Sequence, residues 1–291
     1  MTVISKTKNT QAVVCYGEVL YDIHGEHSSI GGAPFNVAYD LGLHGVRVYL
    51  ISAIGNDALG VKILQYMKDC KLGRVFVNKN QLPTGRAIVN YNGDSPHFEI
   101  ECESAWDSIT LNPDQFTFLK EVAPPLLYYG TLAIRSETSF STLKEVLDAS
   151  PSALRFCDLN LRKPFYNKKR VVWAMEEADV LRINKSELLE LSQLLQMTKR
   201  DENELMVQIS KDFEIPLICV TLGNAGAIAY AGGNFYHAHS SALDARNTVG
   251  AGDAFSAGLI KGIVEHKSTS EALRIANEFA FNAIQRKNKL D

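Results

Sequence analysis

The sequence lacks the features that mark several classes of protein. Its 30 lysine and arginine residues nearly balance its 33 aspartate and glutamate residues, and a net charge of −3 gives no general attraction to nucleic acid or to an anionic membrane surface. No apolar run is long enough for a membrane span, and the polar first residues lack the apolar core of a signal peptide. We therefore expect a cytoplasmic protein that has neither nucleic acid nor a membrane as a partner.

Cysteine pairs and the common catalytic motifs are also missing. The five cysteines are odd in number, scattered and without a CxxC pair, which predicts reduced and mostly buried thiols. The chain has no GxxxxGK[ST] phosphate loop and no GxSxG nucleophile motif. Two histidines stand three apart at His24 and His27, and two alternate at His237 and His239. Ordinary loop and strand positions explain both pairs better than a metal site does.

The chain does contain a regular alternation of short apolar runs and amphipathic segments. Its 291 residues, of which 46% are hydrophobic, suit a single large α/β domain with a substantial core. Residues 12–22 predict one buried strand that runs into a site, and residues 31–45 predict a helix closed by a glycine. VRVYLISAIG then predicts a strand, and DALGVKILQYMKDCKLG predicts an amphipathic helix that ends at Gly73.

Residues 84–101 interrupt this alternation with two β-type runs around NGDSP, which predict a hairpin. Beyond it the alternation returns, and repeated β-α-β units predict a parallel sheet flanked by helices. Ligands bind such sheets at the carboxyl ends of the strands. Polar or glycine residues stand at those ends: Asp158, Asn160, Asn184, Thr221 and Gly223. The sequence therefore predicts an α/β enzyme with a separate β-flap over the site.

The stretch NTVGAGDAFSAGLIKG, residues 247–262, places glycines and one carboxylate at the start of an apolar helix. A helix start offers unpaired N–H groups and partial positive charge, which suit a phosphate. Asp253 would repel that phosphate, so two interpretations remain. Either Asp253 only caps a tight turn, or it acts as a base beside a phosphoryl group.

The other polar groups favour the second interpretation. They form a distributed set: Asp22, Gly31 and Gly32 with Asn36, Asn184 with Glu187, and Thr221 to Gly223. In phosphoryl transfer the protein mainly positions the substrates, neutralises charge and removes one proton. A carboxylate beside an anion hole fits that chemistry.

These motifs resemble the ribokinase-like (PfkB) sugar kinases, and among them most closely the bacterial fructokinases. The resemblance runs nearly end to end through GEVLYD, GGAPFNVA, AIGNDALG, TGRAIV, AWDSI, DLNLRKPFY, VLRINKSE, VTLGNAG and NTVGAGDAFSAG, in the order of the family. It implies a three-layer α/β/α fold with a central, mainly parallel sheet and a small β-sheet lid. It also implies one kinase domain over residues 1–291, with the lid at about 16–32 and 84–106.

The resemblance implies a role for each matching residue. Asp253 would be the general base, and Gly250, Ala251 and Gly252 would form the anion hole. Asp22, Gly32 and Asn36 would bind the sugar hydroxyls. The ATP site would include Thr221, Gly223, Gly226, Asn277 and Asn184, and Asn184 and Glu187 would organise Mg²⁺ through water. Arg162 and, more weakly, Arg86 are candidates for substrate contact, each with a surface ion pair as the alternative. Trp106 would either close over the sugar or, as we prefer, pack under the lid.

The sequence departs from the family pattern at the cation site. Asn247 stands where the family has an aspartate beside the anion hole, and Asn288 stands where a glycine is common. An amide offers a carbonyl oxygen but no charge, so we expect K⁺ to stimulate weakly or not at all. Other acceptors (ribose, 2-keto-3-deoxygluconate or a nucleoside) and a sugar-binding regulator without activity remain alternatives. Because the family includes dimers formed through the lid, a homodimer is a further expectation.

Overall fold

The computed structural model describes residues 12–25, 27–70, 72–73, 76–92, 95–198, 201–239 and 250–288. The strands in these ranges are β1 (Val13–Tyr16), β2 (Leu20–His24), β3 (His27–Gly31), β4 (Val48–Gly55), β5 (Val77–Asn80), β6 (Gly85–Asn92), β7 (Ser95–Ile100), β8 (Leu126–Gly130), β9 (Leu154–Asp158), β10 (Val180–Asn184), β11 (Leu217–Thr221), β12 (Ala227–Ala231) and β13 (Asn234–Ala238). The α-helices are α1 (Ala33–Leu43), α2 (Ala58–Asp69), α3 (Pro113–Val122), α4 (Glu137–Ala149), α5 (Lys168–Glu176), α6 (Lys185–Leu194), α7 (Glu202–Asp212), α8 (Ala251–Val264) and α9 (Thr269–Asn288).

The large sheet has the strand order β13-β12-β11-β10-β9-β8-β1-β4-β5 within the described residues. All pairs from β11 to β5 are parallel, whereas β12 and β13 continue the sheet antiparallel. Parallel strands are buried on both faces, which is why LLYYG and LRFCD read as continuous apolar runs. The prediction of a mainly parallel sheet is confirmed.

Alternate residues of the large sheet enter two separate hydrophobic clusters. Val14 and Tyr16 of β1 pack in one cluster with helices α4 to α7, while Val13 and Cys15 pack in the other with α1, α8 and α9. Because successive side chains of a strand point to opposite faces, these clusters lie on the two sides of the sheet. The result is the predicted three-layer α/β/α arrangement.

A second, small sheet has the order β3-β2-β6-β7. The predicted hairpin forms its antiparallel β6–β7 pair. The prediction of one strand over residues 12–22 is wrong, because β1 belongs to the large sheet and β2 to the small one. The chain leaves the large sheet at Gly17, whose φ of 140° disfavours other residues and whose missing side chain leaves room for Pro34.

Helix α8 packs closely against α9 through small residues. A Cβ atom on Gly258 would lie 2.7 Å from the Cα atom of Ala276, and one on Gly262 would lie 2.6 Å from that of Ala272. This contact fixes the axis of α8, and therefore the position of its N-terminus at the edge of the large sheet.

Helix α2 ends at Asp69, whereas the sequence predicted an end at Gly73. Within the described ranges, no helix combines the length and apolar character that crossing a membrane requires.

Candidate active site

One cavity of about 550 Å³ lies at the carboxyl edge of the large sheet and brings together most of the predicted site residues. Toward the small sheet these are Asp22, Gly32, Asn36, Arg162 and Asp253. The α8 start contributes Gly250, Ala251 and Gly252, and the far end contributes Asn184, Thr221, Gly223, Gly226 and Asn277. Four strand spacings separate β1 from β11, or about 19 Å, so the cavity can hold two ligands end to end.

The start of α8 is shaped to receive an anion between these two ends. Gly250 is the N-cap in a left-handed conformation, with φ of 79°, and no side chain of the described residues caps the helix there. The first N–H groups of a helix have no partner within it, so Ala251 to Asp253, which line the cavity, have N–H groups without an intrahelical partner. Together with the helix dipole, they form an anion site.

Asp253 is held in place from a different helix. Asn36 of α1 donates its Nδ2 hydrogen to Oδ2 of Asp253 at 2.8 Å. Burial raises the pKa of Asp253 from 3.8 to about 6, with a further rise from the charge of Asp158, while the Asn36 hydrogen bond partly offsets both. A fixed carboxylate with a pKa near neutrality has the properties of a general base.

Beneath the α8 start lies a buried charged network that sequence reasoning missed. Arg182 donates from Nη1 to Asp158 at 3.1 Å and from Nη2 to Thr221 at 3.3 Å. The other Asp158 oxygen accepts from Ser256 of α8 at 2.6 Å and from Tyr128 at 3.2 Å. The network thus ties α8 to four strands of the large sheet. The one available signal was an arginine within the apolar run VLRIN.

The structure explains why residue 252 of the GAGD sequence is a glycine. A Cβ atom at this position would lie 2.7 Å from Nη2 of Arg182. Since Asp158 and Thr221 both hold that guanidinium, it cannot easily move aside. A glycine is therefore required for the helix start to sit directly on the arginine.

Glu18 is a second residue that sequence reasoning missed, although it belongs to the motif GEVLYD. Its side chain is buried and lines the cavity at the end that Asn36 and Asp253 share. Burial raises the pKa of Glu18 to about 7, because desolvation outweighs the hydrogen bond from Ala33 and the attraction of Arg162, and the charge of Asp253 raises it further.

The small sheet forms one wall of the cavity through Leu20, Ala87, Phe98 and Ile100. Arg162 also lines the cavity, and its guanidinium carbon lies 4.8 Å from the centre of the Phe98 ring. Arg86 does not line it, because its exposed side chain pairs with Glu101 at 3.0 Å. Trp106 is fully buried beneath Arg135, so the structure favours packing over contact with a ligand.

The start of α6 places Asn184 at the cavity but not Glu187. The Glu187 carboxylate accepts from the N–H groups of Asn184 at 2.8 Å and Leu161 at 2.7 Å, and burial raises its pKa. Both its oxygens are therefore occupied. The described residues contain no group of three or more side chains that could hold a metal ion. This donor set fits Mg²⁺ that arrives on nucleotide phosphates and keeps its waters, rather than a resident ion.

The far end of the cavity contains no carboxylate and is built largely from backbone, with Lys185 beside Asn184 as its charged residue. The turn between β11 and β12 contains Gly223 and Gly226, with φ of 60° and 96°. Asn277 of α9 donates to the carbonyl oxygen of Ala238 at 2.9 Å, and Phe281 adds an apolar wall. Asn247 lies outside the described residues, as does the side chain of Asn288, so the expectation about K⁺ stays a prediction.

The fold and the cavity define an α/β protein whose cavity has room for two ligands, one on each side of the α8 start. The pfkB family carbohydrate kinase model matches residues 1–290, and the chain belongs to that family. It is therefore a sugar kinase with the ribokinase-like fold.

Three proteins illustrate the similarity. The uncharacterized sugar kinase PH1459 of Pyrococcus horikoshii is 28% identical over 242 residues, which is 81% of this chain and 74% of that protein. Its structure in complex with ATP gives a TM-score of 0.79 over 94% of this chain and 92% of that one, at 24% identity. Probable fructokinase-2 of Arabidopsis thaliana is 24% identical over 94% of this chain and 90% of its own length. A Vibrio cholerae O395 fructokinase structure with fructose, ADP and calcium ion bound gives a TM-score of 0.77 at 23% identity, over 92% and 91% of the two chains.

Proposed function

We propose that this sugar kinase transfers the γ-phosphate of ATP to a hydroxyl of D-fructose, with Asp253 as the general base. The observation that carries the proposal is the position of Asp253, which Asn36 holds beside the first N–H groups of α8 in a cavity long enough for both substrates. Fructose as acceptor is supported by the fructokinases among the relatives.

In this mechanism the acceptor lies toward the small sheet, where Asp22, Gly32 and Asn36 bind its hydroxyls. Asp253 accepts the proton of the attacking hydroxyl as the oxygen–phosphorus bond forms. The N–H groups of Gly250, Ala251 and Gly252 hold the transferred phosphoryl group, whose developing charge they stabilise in a preorganised arrangement. Arg162 contacts the acceptor from the side of Phe98.

ATP occupies the far end of the cavity, with its phosphates toward α8. Thr221, Gly223 and Gly226 line the nucleotide, and Asn277 and Phe281 lie near adenine. Mg²⁺ brought in with the nucleotide would neutralise phosphate charge during transfer. Asn184 would contact the waters of that ion. Glu187 would affect these waters only indirectly, because its carboxylate accepts a hydrogen bond from the N–H of Asn184.

The proposal is tested by an ATP-consumption assay with Mg²⁺ over D-fructose, ribose, mannose, glucose, 2-keto-3-deoxygluconate and common nucleosides. We expect D-fructose to have the highest kcat/KM. Faster turnover of ribose or a nucleoside would contradict the acceptor, and turnover of none would favour a regulator. A homodimer through the small sheet and a cytoplasmic location remain parts of the proposal, and sedimentation and cell fractionation would test them.

A further inference from the structure

Glu18 is a buried carboxylate that the fold uses only in part. Its side chain is 3% exposed and lines the cavity. Oε1 accepts from the N–H of Ala33, the first residue of α1, at 3.2 Å. Within the described part of the chain, Oε2 is buried and has no hydrogen-bond partner. An unpaired buried carboxylate oxygen is costly, so a group that completes its hydrogen bonding is expected in the cavity.

Capping α1 does not by itself require a carboxylate. The N-cap residue Gly32 has no side chain, so the Ala33 N–H needs one acceptor from elsewhere, and Oε1 alone supplies it. A neutral amide oxygen of glutamine could accept the same hydrogen bond, although the negative charge of a carboxylate strengthens it at a helix N-terminus. The second oxygen takes no part in this hydrogen bond.

The charges around Glu18 indicate which kind of group could complete its hydrogen bonding. Glu18, Asp22 and Asp253 are carboxylates that line the cavity near α1 and the small sheet. Arg162 is a nearby cation, whereas Arg182 is already paired with Asp158, and Lys185, at the far end of the cavity, with Glu202. A ligand beside three carboxylates and one arginine must donate hydrogen bonds and is disfavoured if it carries negative charge. Hydroxyl groups meet both conditions.

We propose that Glu18 binds the acceptor directly, with Oε2 accepting a hydrogen bond from an acceptor hydroxyl and the carboxylate excluding acceptors that carry a phosphate or carboxylate group at that point. The inference rests on the proposed function and narrows it to neutral polyhydroxyl acceptors. Losing a hydrogen bond to a charged group lowers kcat/KM by roughly 10- to 100-fold.

The test is a cycle that combines Glu18 variants with D-fructose analogues, each lacking one hydroxyl. In the unmodified protein, one analogue should lose about 10- to 100-fold in kcat/KM. In Glu18→Met that loss should fall to within about twofold, and in Glu18→Gln, which keeps the α1 cap, it should be intermediate. Asp40→Asn is the matched control, because Asp40 is a buried acid of α1 that pairs with Arg286 and does not line the cavity.

The same variants test the role of the charge. The ratio of kcat/KM for D-fructose 6-phosphate to that for D-fructose should rise at least about tenfold in Glu18→Gln and stay unchanged in Asp40→Asn. Equal losses for every analogue in all variants, with an unchanged ratio, would show that Glu18 only caps α1 and would overturn the inference.

The same cycle can be measured by calorimetry of sugar binding. This measurement distinguishes failure of the Glu18 assignment from failure of the proposed kinase function. If sugars bind without turnover, the kinase mechanism fails while the coupling between Glu18 and one hydroxyl can still be measured. If the unmodified protein binds no neutral sugar, the assignment of Glu18 is overturned.

Discussion

The two ends of the cavity are lined by different kinds of chemical group. Toward the small sheet, the carboxylates of Asp253 and Glu18 accept hydrogen bonds from the side chain of Asn36 and from the backbone N–H of Ala33. Toward α9, the lining has no carboxylate and relies on turn glycines, an asparagine and an aromatic ring. The first end can move a proton, whereas the second can only hold a ligand.

This difference indicates which end of the cavity is suited to proton transfer and which to nucleotide binding. Burial raises the pKa values of Asp253 and Glu18, and a neighbouring carboxylate raises each of them further; such groups are kept at a cost in stability. A backbone-lined slot without carboxylates has no such cost and suits a ligand that brings its own charge and metal ion. Changes at the first end should therefore lower kcat or acceptor binding, and changes at the second should affect ATP alone.

The largest effect is expected for Asp253→Asn. The amide keeps the size of the side chain but cannot accept a proton, so kcat should fall roughly 10²- to 10⁴-fold while ATP and D-fructose still bind. Steady-state kinetics and calorimetry measure the two quantities. Asp114→Asn is the control, since Asp114 lies in the first turn of α3, away from the cavity. A folded Asp253→Asn protein with kcat within about threefold of the original would mean that Asp253 is not the base.

A somewhat smaller loss is expected for Gly252→Ala. The new methyl group would meet Arg182, so the α8 start must shift relative to the sheet. A displacement of about 1 Å in catalytic geometry can lower kcat about 100-fold. The KM for ATP should change much less. Unchanged kcat would show that the guanidinium can move aside and that the network does not fix the anion site.

Phe281→Ala tests the opposite end of the cavity. Removing the aromatic wall should raise the KM for ATP about tenfold and leave the KM for the acceptor unchanged. Tyr66→Ala removes an exposed aromatic of α2 and serves as the control. If Phe281→Ala raised the acceptor KM instead, the proposed orientation of the two substrates would be reversed.

The smallest effect is expected for Arg86→Gln. Because its ion pair with Glu101 is exposed, the variant should change the acceptor KM by less than about twofold and the free energy of unfolding by less than about 1 kcal/mol. Arg162→Gln, which alters a cavity-lining arginine, should raise that KM several-fold more. Kinetics and urea unfolding give both comparisons. An Arg86 effect as large as that of Arg162 would mean that the small sheet moves to bring Arg86 to the acceptor.

Much of the fold could be predicted from the sequence, because alternating β and α patterns and the order of motifs are local features. The break at Gly17 could not, since Val13 to Tyr21 is apolar enough to resemble one strand, and only packing against Pro34 separates the two sheets. The contacts of the site are equally non-local. Asn36 and Asp253 are 217 residues apart, and no local pattern shows that they meet.

The errors that sequence-based prediction made at individual residues have the same cause. Glu187 fits a motif, but its carboxylate accepts hydrogen bonds from the backbone of Asn184, the N-cap of α6, and of Leu161 in the loop after β9. Glu18 and Arg182 lie in runs that are otherwise apolar, where a single charge gives no indication of its partners. Whether such a charge is paired, as Arg182 is, or left partly open, as Glu18 is, depends on tertiary structure.

The central claim is that a half-buried carboxylate with a raised pKa takes the acceptor proton, and the pH dependence of kcat at saturating Mg²⁺–ATP tests it most directly. A base works only when unprotonated, so kcat should be constant above and fall below an apparent pKa of about 6. This acidic limb should vanish from the residual activity of Asp253→Asn. A limb that persists in Asp253→Asn, or a kcat that is flat from about pH 5 to about pH 8 in the unmodified protein, would contradict the claim.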